Sequence, residues 1–327
     1  MGTLKGVDTP EIASLLAKAL DYRRRLAADG RLDMAADAAY RLVNEAGDGM
    51  PGIAVDIVAG YAFVHVYEAP WRAHLAALAR SLRETAGAAG VYAADRTRSG
   101  ESRATFLEGS PAEDDKAVVR EASLRFAVQF AGGPAYGLYL DQRDNRPKAA
   151  ALAAGTSLLN TFSYTCSFSV YAAAAGARTV NVDQSKLALE TGKRNLALNG
   201  LSTEGHRFLA DDVFACLPRL AKKGEKFGVV LLDPPTFARG KKGVFSVERD
   251  YAKLVAAAAP LVAPGGHLLA FANTHRMAHA EWYAQVRAGL GAEAQAFSEV
   301  ERWKQAPDFR ETGAGGYLKN AVLKRKG

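Results

Sequence analysis

The sequence predicts an α/β protein: a doubly wound parallel sheet finished by an antiparallel edge hairpin and preceded by a small α+β domain. Three observations carry that expectation. Beyond Pro147, strand-like and helix-like segments alternate regularly, the pattern of βαβ units with helices on both faces of a parallel sheet. Two further β-like runs, 293–300 and 317–323, follow the last helix with no helical pattern between them, and read as an antiparallel pair at one sheet edge. From 39 to 131 the texture differs, with short β-rich runs broken by Gly and Asp and one helical stretch among them.

The elements follow in order. Residues 11–28 read as an amphipathic helix, with Ile12, Leu15, Leu16, Ala19 and Leu20 on one side and Arg23, Arg24 and Arg25 closing it. Strands are expected at 53–57, 61–67, 91–94, 118–121 and 124–130, with a helix at 71–85. In the second half, strands at 157–160, 178–182, 207–209, 229–232 and 267–271 alternate with helices at 167–175, 186–198, 213–221 and 248–261, and a last helix spans 278–290. The expected division is an N-terminal helical segment (1–38), a small α+β central domain (39–135) and the sheet domain (136–327).

Composition narrows the function. The chain has 327 residues, 49% hydrophobic and 24% charged, enough to bury a large core in two globular units. Its apolar runs are far short of the ~20 residues a membrane span needs, and the N-terminus lacks a basic-then-apolar signal pattern. The expectation is a soluble cytoplasmic protein with no membrane partner. Two cysteines and six scattered histidines offer neither a disulfide framework nor ligand spacing, so no metal site is expected. A net charge of +7 permits a polyanionic partner without demanding one.

In an open α/β sheet, ligands bind at the carboxyl ends of the strands. The first strand here runs into Thr161-Phe162-Ser163-Tyr164-Thr165-Cys166, a loop without glycine. A pyrophosphate needs the close backbone approach that G-x-G-x-x-G provides, so a dinucleotide cofactor and a nucleotide-dependent oxidoreductase are disfavoured. The second strand ends at Asp183, followed by Gln184; a carboxylate there can accept from both hydroxyls of a ribose, or simply cap the next helix. The third ends at Asp211-Asp212-Val213, where a carboxylate can accept from an adenine amino group while the Val213 amide donates to the ring, with a cap again the plain alternative. The fourth stops at Asp233-Pro234-Pro235-Thr236-Phe237. Two prolines remove two backbone donors and fix two φ angles, leaving carbonyls free to accept beside a carboxylate and an aromatic ring. That cluster suits a planar nucleobase taken out of its stack.

These residues resemble a known family. Gly137-Leu138-Tyr139-Leu140-Asp141-Gln142-Arg143-Asp144-Asn145-Arg146, then Leu159 to Thr165, Asp211 to Phe214 and Asp233-Pro234-Pro235 are similar to the S-adenosylmethionine-dependent large-subunit ribosomal RNA methyltransferases, the cytosine-C5 and guanine-N7 branch with an extra central domain. Tyr40-Arg41-Leu42-Val43-Asn44-Glu45 through Gly52 resembles the start of that domain. The resemblance implies a class I methyltransferase fold, Rossmann-like with a seven-stranded sheet, and S-adenosylmethionine as cofactor. It implies Asp183, with Gln184 beside it, as the ribose ligand, and Asp212 and Val213 at the adenine. Phe162, Ser163, Tyr164 and Thr165 would wall the methionine part. Asp141, Gln142 and Arg143 would face the cofactor, and Asp233, Pro234, Pro235 and Phe237 the base. Implied partners are ribosomal RNA or a pre-ribosomal particle, with a homodimer allowed.

The sequence departs from that family in three places. Cytosine-C5 methylation needs a cysteine thiolate to add at C6, and in such relatives it follows the fifth strand. Here that strand leads into Asn273-Thr274-His275-Arg276, while Cys166 and Cys216 read as packing residues. The guanine-N7 branch is favoured accordingly. Relatives often begin with a PUA domain, whereas 38 mostly helical residues precede Ala39, so substrate capture is expected from the central domain, the catalytic face or another protein. Cys166 also stands where relatives have Gly. Arg239, Lys241, Lys242 and Arg276, near two strand ends, are the expected phosphate contacts, with Lys324, Arg325 and Lys326 adding charge at the tail. A methyltransferase of a non-RNA acceptor and a non-catalytic RNA-binding module remain as alternatives.

Overall fold

The fold was determined as a computed structural model, which describes residues 9–97, 103–131, 133, 135–240, 243–274, 276–313 and 316–327. Side chains at 9, 237–240 and 243–244 are outside that description. The chain divides into two compact units: residues up to Asp141 together with Ala306–Ala314, and Gln142–Gln305 together with Gly315–Gly327. No described helix is long and apolar enough to cross a membrane.

The first unit opens with α1 (Thr9–Ala28) and continues through β1 (Ala39–Asn44), β2 (Ile53–Val58), β3 (Tyr61–Val66), α2 (Leu75–Ala86), β4 (Gly90–Asp95), β5 (Ala104–Gly109), β6 (Lys116–Glu121) and β7 (Leu124–Gln129). Strands β1 to β5 form one sheet in sequence order, antiparallel except for the parallel β3–β4 pair, and β6 pairs with β7 separately. Ile12, Leu16, Ala19 and Leu20 of α1 pack with Val43, Val55, Val64 and with Leu78 and Leu82 of α2 in one core, as an apolar stripe at helical spacing requires. Strands β1 and β5 were not separately read from sequence. In β5 most side chains are exposed, so it carries no burial alternation and is held by backbone pairing to β4.

Arg23 extends the buried stripe of α1 rather than closing the helix in solvent. Its guanidinium is fully buried, donates to both oxygens of Asp48 at 2.5 and 2.8 Å, and gives a third bond to the Asp308 carbonyl at 2.5 Å. Asp48 also accepts from the Asn44 amide at 2.7 Å, and Asp308 from the Arg41 amide at 2.7 Å. A buried guanidinium is tolerable only with this degree of pairing. The 306–314 segment, read from sequence merely as a loop, is thus stapled into the first unit.

The second unit contains α3 (Asn145–Ala153), β8 (Ser157–Thr161), α4 (Ser167–Ala174), β9 (Arg178–Asp183), α5 (Lys186–Leu198), β10 (Arg207–Ala210), α6 (Val213–Lys222), β11 (Phe227–Leu232), β12 (Phe237–Gly240), β13 (Gly243–Ser246), α7 (Val247–Ala258), β14 (Val262–Asn273), α8 (His279–Leu290), β15 (Phe297–Glu301) and β16 (Leu318–Arg325). Its seven-stranded sheet has the order β10-β9-β8-β11-β14-β16-β15. The first five strands are parallel, and β16 inserts antiparallel between β14 and β15. The order reverses between β8 and β11, so the carboxyl ends of those strands flank the ligand crevice. Val230, Leu232 and Leu268 pack with Leu217, Tyr251, Leu254 and Trp282 to fill one face.

Three elements of this unit escaped the sequence reading. Helix α3 contains Pro147, which resembles a boundary, yet it lies in the first turn, where the missing N–H costs nothing. The four-residue strands β12 and β13 are too short for a periodic signal and pair only with each other.

A close approach fixes how α5 meets the loop before α4. Cys166, fully buried at φ 62°, fits against Gly192: a methyl added there would overlap Sγ and come within 2.8 Å of Cys166 Cβ. Gly192→Ala, which ordinarily favours a helix, should therefore cost about 1–3 kcal/mol of overpacking, and Cys166→Gly in the same chain should recover most of it. Urea midpoints of the two single variants and the double variant check this; additive losses would refute the pairing. Asp48→Ala, which strands a buried Arg23, should cost about 3–5 kcal/mol. Removing Asp21, the partner of Arg24 in an exposed pair at 3.7 Å, should cost under about 1 kcal/mol by the same measurement.

Candidate active site

At the end of β9, Asp183 is half-buried and takes two backbone amides: Tyr164 N–H at 2.8 Å on Oδ2 and Ser185 N–H at 2.8 Å on Oδ1. The cap of α5 is Ser185, whose Oγ accepts from Ala188 N–H at 3.1 Å. Asp183 therefore does not cap that helix; it ties the loop after β8 to the turn after β9. Each carboxylate oxygen has about two acceptor sites, so both amides leave capacity for two further donors. Gln184 beside it is exposed.

The loop between β8 and α4 turns without glycine by placing Phe162, Tyr164 and Cys166 in left-handed backbone, at φ 52°, 48° and 62°. Such residues cost roughly 1–2 kcal/mol each, and the surroundings hold them there. Ser163 N–H donates to Val182 carbonyl at 3.1 Å and Cys166 N–H to Ser163 carbonyl at 2.7 Å. Asn195 Nδ2 holds the Thr165 carbonyl at 3.0 Å. Ser163 and Thr165 are buried, Phe162 and Tyr164 partly so.

Asp212 does cap its helix, accepting from Phe214 N–H at 2.8 Å, and Val213 is buried beside it. Two aromatic residues without an expected role lie here. The Phe245 ring on β13 is 6.3 Å from Phe162 at 28° and 5.4 Å from Phe214. The ends of β8 and β10 and the hairpin after β11 thus share one aromatic cluster. Phe214 was legible only as the end of the Asp211 to Phe214 motif, two positions after Asp212; Phe245, a few residues past a basic loop, carried no signal.

At the end of β11, Asp233 Oδ2 accepts from Gln142 Nε2 at 3.3 Å, and Gln142 Oε1 accepts from Asn145 Nδ2 at 2.8 Å. Pro234 is buried and Pro235 exposed. Thr236 Oγ1 donates to the Asn273 carbonyl at 2.7 Å, joining the ends of β11 and β14. Phe237 and Arg239 lie on β12, their side chains outside the described set; Lys241, Lys242 and His275 lie outside the described residues. Arg276 is exposed after β14. Arg143 is largely buried, with Nε donating to Asp144 at 3.2 Å. Asp141 belongs to the first unit, where its carbonyl accepts from Ala306 N–H at 3.0 Å.

Neither cysteine is poised as a nucleophile. Burial pushes the Cys166 thiol up to about 12 and raises that of Cys216 as well. Both therefore carry their protons at neutral pH.

Residues 41–325 match the family model for S-adenosylmethionine-dependent methyltransferases. Ribosomal RNA large subunit methyltransferase I of Shewanella amazonensis is 35% identical over 294 residues, covering 87% of this chain and 74% of the relative. The protein of the same name from Aeromonas salmonicida is 31% identical over 295 residues, 88% of this chain and 74% of its own. The crystal structure of SMU.776, a protein assigned as a methyltransferase and solved with SAH, superposes with a TM-score of 0.88 at 26% identity, covering 98% of this chain and 83% of that one. The sheet order, the acids at successive strand ends and a match spanning nearly the whole sequence agree: the chain belongs to the S-adenosylmethionine-dependent methyltransferase family, and S-adenosylmethionine is its cofactor.

Proposed function

We propose that the enzyme methylates a base of large-subunit ribosomal RNA, at a ring nitrogen such as guanine N7 rather than at cytosine C5. The state of the cysteines carries the choice of atom. Carbon 5 of cytosine becomes nucleophilic only after a thiolate adds at C6, and the two cysteines of this chain are both buried and protonated. Guanine N7 has its own lone pair; it forms the N–C bond as the C–S bond breaks and needs neither a covalent adduct nor removal of a ring proton. The choice of acceptor is supported by the two relatives named as ribosomal RNA large subunit methyltransferases and by the net charge of +7.

The donor set fits the cofactor. The spare acceptor capacity of Asp183 suits the ribose hydroxyls, and Asp212 and Val213, flanked by Phe162, Phe214 and Phe245, suit the adenine. Residues 162–165 and Arg143 would hold the methionine end, Arg143 by pairing its carboxylate. When bound, S-adenosylmethionine supplies an activated sulfonium methyl, so the protein's task is positioning and exclusion of water, for which effective molarities allow about 7–11 kcal/mol. Asp233 and the Pro234 carbonyl would orient the base, with Phe237 or Tyr164 along its edge. Arg239, Lys241, Lys242 and Arg276 would contact phosphates.

Asp183→Asn removes a charged acceptor and should weaken S-adenosylmethionine binding by about 10–100-fold, the worth of a hydrogen bond to a charged group. Calorimetric titration measures it, and unchanged affinity would refute the ribose assignment. Nucleoside mass spectrometry of large-subunit RNA from cells with and without the gene should show loss of one 7-methylguanosine. Loss of a 5-methylcytidine would overturn the choice of atom, and an unchanged profile the choice of RNA.

A further inference from the structure

Two side chains at the start of the second unit and one at the end of β11 form a relay with a single polarity. Asn145, the first residue of α3, is fully buried and donates from Nδ2 to Gln142 Oε1 at 2.8 Å. Gln142, also buried, donates from Nε2 to Asp233 Oδ2 at 3.3 Å. Turning over the Gln142 amide would set its oxygen against a carboxylate; turning over Asn145 would set two carbonyl oxygens together. Asp233 therefore fixes the polarity of Gln142, and Gln142 that of Asn145.

The arrangement is costly for the fold. Asn145 Oδ1 is buried with no hydrogen-bond partner among the described residues, and an unsatisfied buried acceptor is ordinarily destabilising. The relay gives that burial a use: Asp233, which can only accept, takes the Gln142 N–H, and the bond from Asn145 to Gln142 Oε1 holds the amide plane in place against it. Tyr251 does not compete for that carboxylate. Its hydroxyl donates to the Phe271 carbonyl at 2.7 Å and stays protonated through burial and the nearby charge of Asp233.

We propose that Asn145 is a positioning residue for methyl transfer, acting through Gln142 to hold the Asp233 carboxylate in the orientation that receives the base. This rests on the reading of Asp233 as the base-orienting group. Gln142, which the sequence placed at the cofactor, then serves the acceptor side.

The experiment follows transfer of labelled methyl from S-adenosylmethionine to protein-free large-subunit RNA taken from cells lacking the gene. It compares Asn145→Leu, Gln142→Met, Asp233→Asn and the Asn145→Leu/Asp233→Asn double variant. Asn145→Leu and Gln142→Met should each lower kcat about tenfold or more, while KM for RNA and the affinity for S-adenosylmethionine stay within about twofold. In the double variant, Asn145→Leu should add nothing to the loss caused by Asp233→Asn. Losses that multiply, or a parallel fall in cofactor affinity, would overturn the relay. Full kcat in Asp233→Asn alone would instead overturn the role of Asp233. A second readout needs no RNA: the side-chain amide resonance of Gln142, identified by its disappearance in Gln142→Met, should shift in both Asn145→Leu and Asp233→Asn. A resonance unmoved by Asn145→Leu sinks the proposal whatever the substrate.

Discussion

A strand-to-helix turn without glycine can be sharp only if something outside it holds its left-handed residues, and in this enzyme the Asp183 carboxylate does much of that work. By accepting the Tyr164 amide on one oxygen and the Ser185 amide on the other, it fastens the first loop of the sheet to the second. The same carboxylate is the one proposed to take the ribose hydroxyls. On that proposal cofactor recognition and loop architecture share one residue, and the strain at Phe162, Tyr164 and Cys166 is sustained by a side chain that the fold already requires. The fit of Cys166 against Gly192 completes the arrangement from below: with a side chain in the loop, the helix beneath must give up its own.

Burial decides the chemistry as much as geometry does. A thiol is a nucleophile only as its thiolate, and enclosing Cys166 removes the solvation that the charged form needs. The surroundings of Asp233 differ: it is half-exposed and accepts from Gln142 Nε2. Sulfur is enclosed and a carboxylate is displayed, a division that the proposed attack by a base nitrogen would use.

Much of this was legible because regular βα alternation places acids at predictable strand ends. Asp183, Asp212 and Asp233 could be picked out from where the apolar runs stop, and α5 could be bounded to the residue. What could not be read depends on partners distant in sequence. Arg23 looks like a basic residue at a helix end; it is buried because Asp48 and Asp308, 25 and 285 positions away, converge on it. Left-handed φ values at Phe162 and Tyr164 have no local signature, since those residue types disfavour them and only long-range bonds impose them. Phe245 sits in a hairpin of four-residue strands, too short for periodicity to register. Asp212 shows a subtler limit: the sequence offered capping and ligand binding as rivals, yet a carboxylate that caps with one oxygen is not thereby disqualified from the other task.

The 306–314 segment has a consequence for how the protein is made. It lies between β15 and β16 in the chain yet supplies Asp308 to a buried cluster built from α1 and β1. During synthesis most of the first unit emerges well before the Asp308 carbonyl, which lies 285 positions beyond Arg23. That unit must wait, with a guanidinium short of one acceptor, until the chain has been made through Asp308. Domain-by-domain folding from the amino terminus is interrupted by this nested connectivity, and the final seal on the first unit arrives only as the sheet of the second receives its penultimate strand.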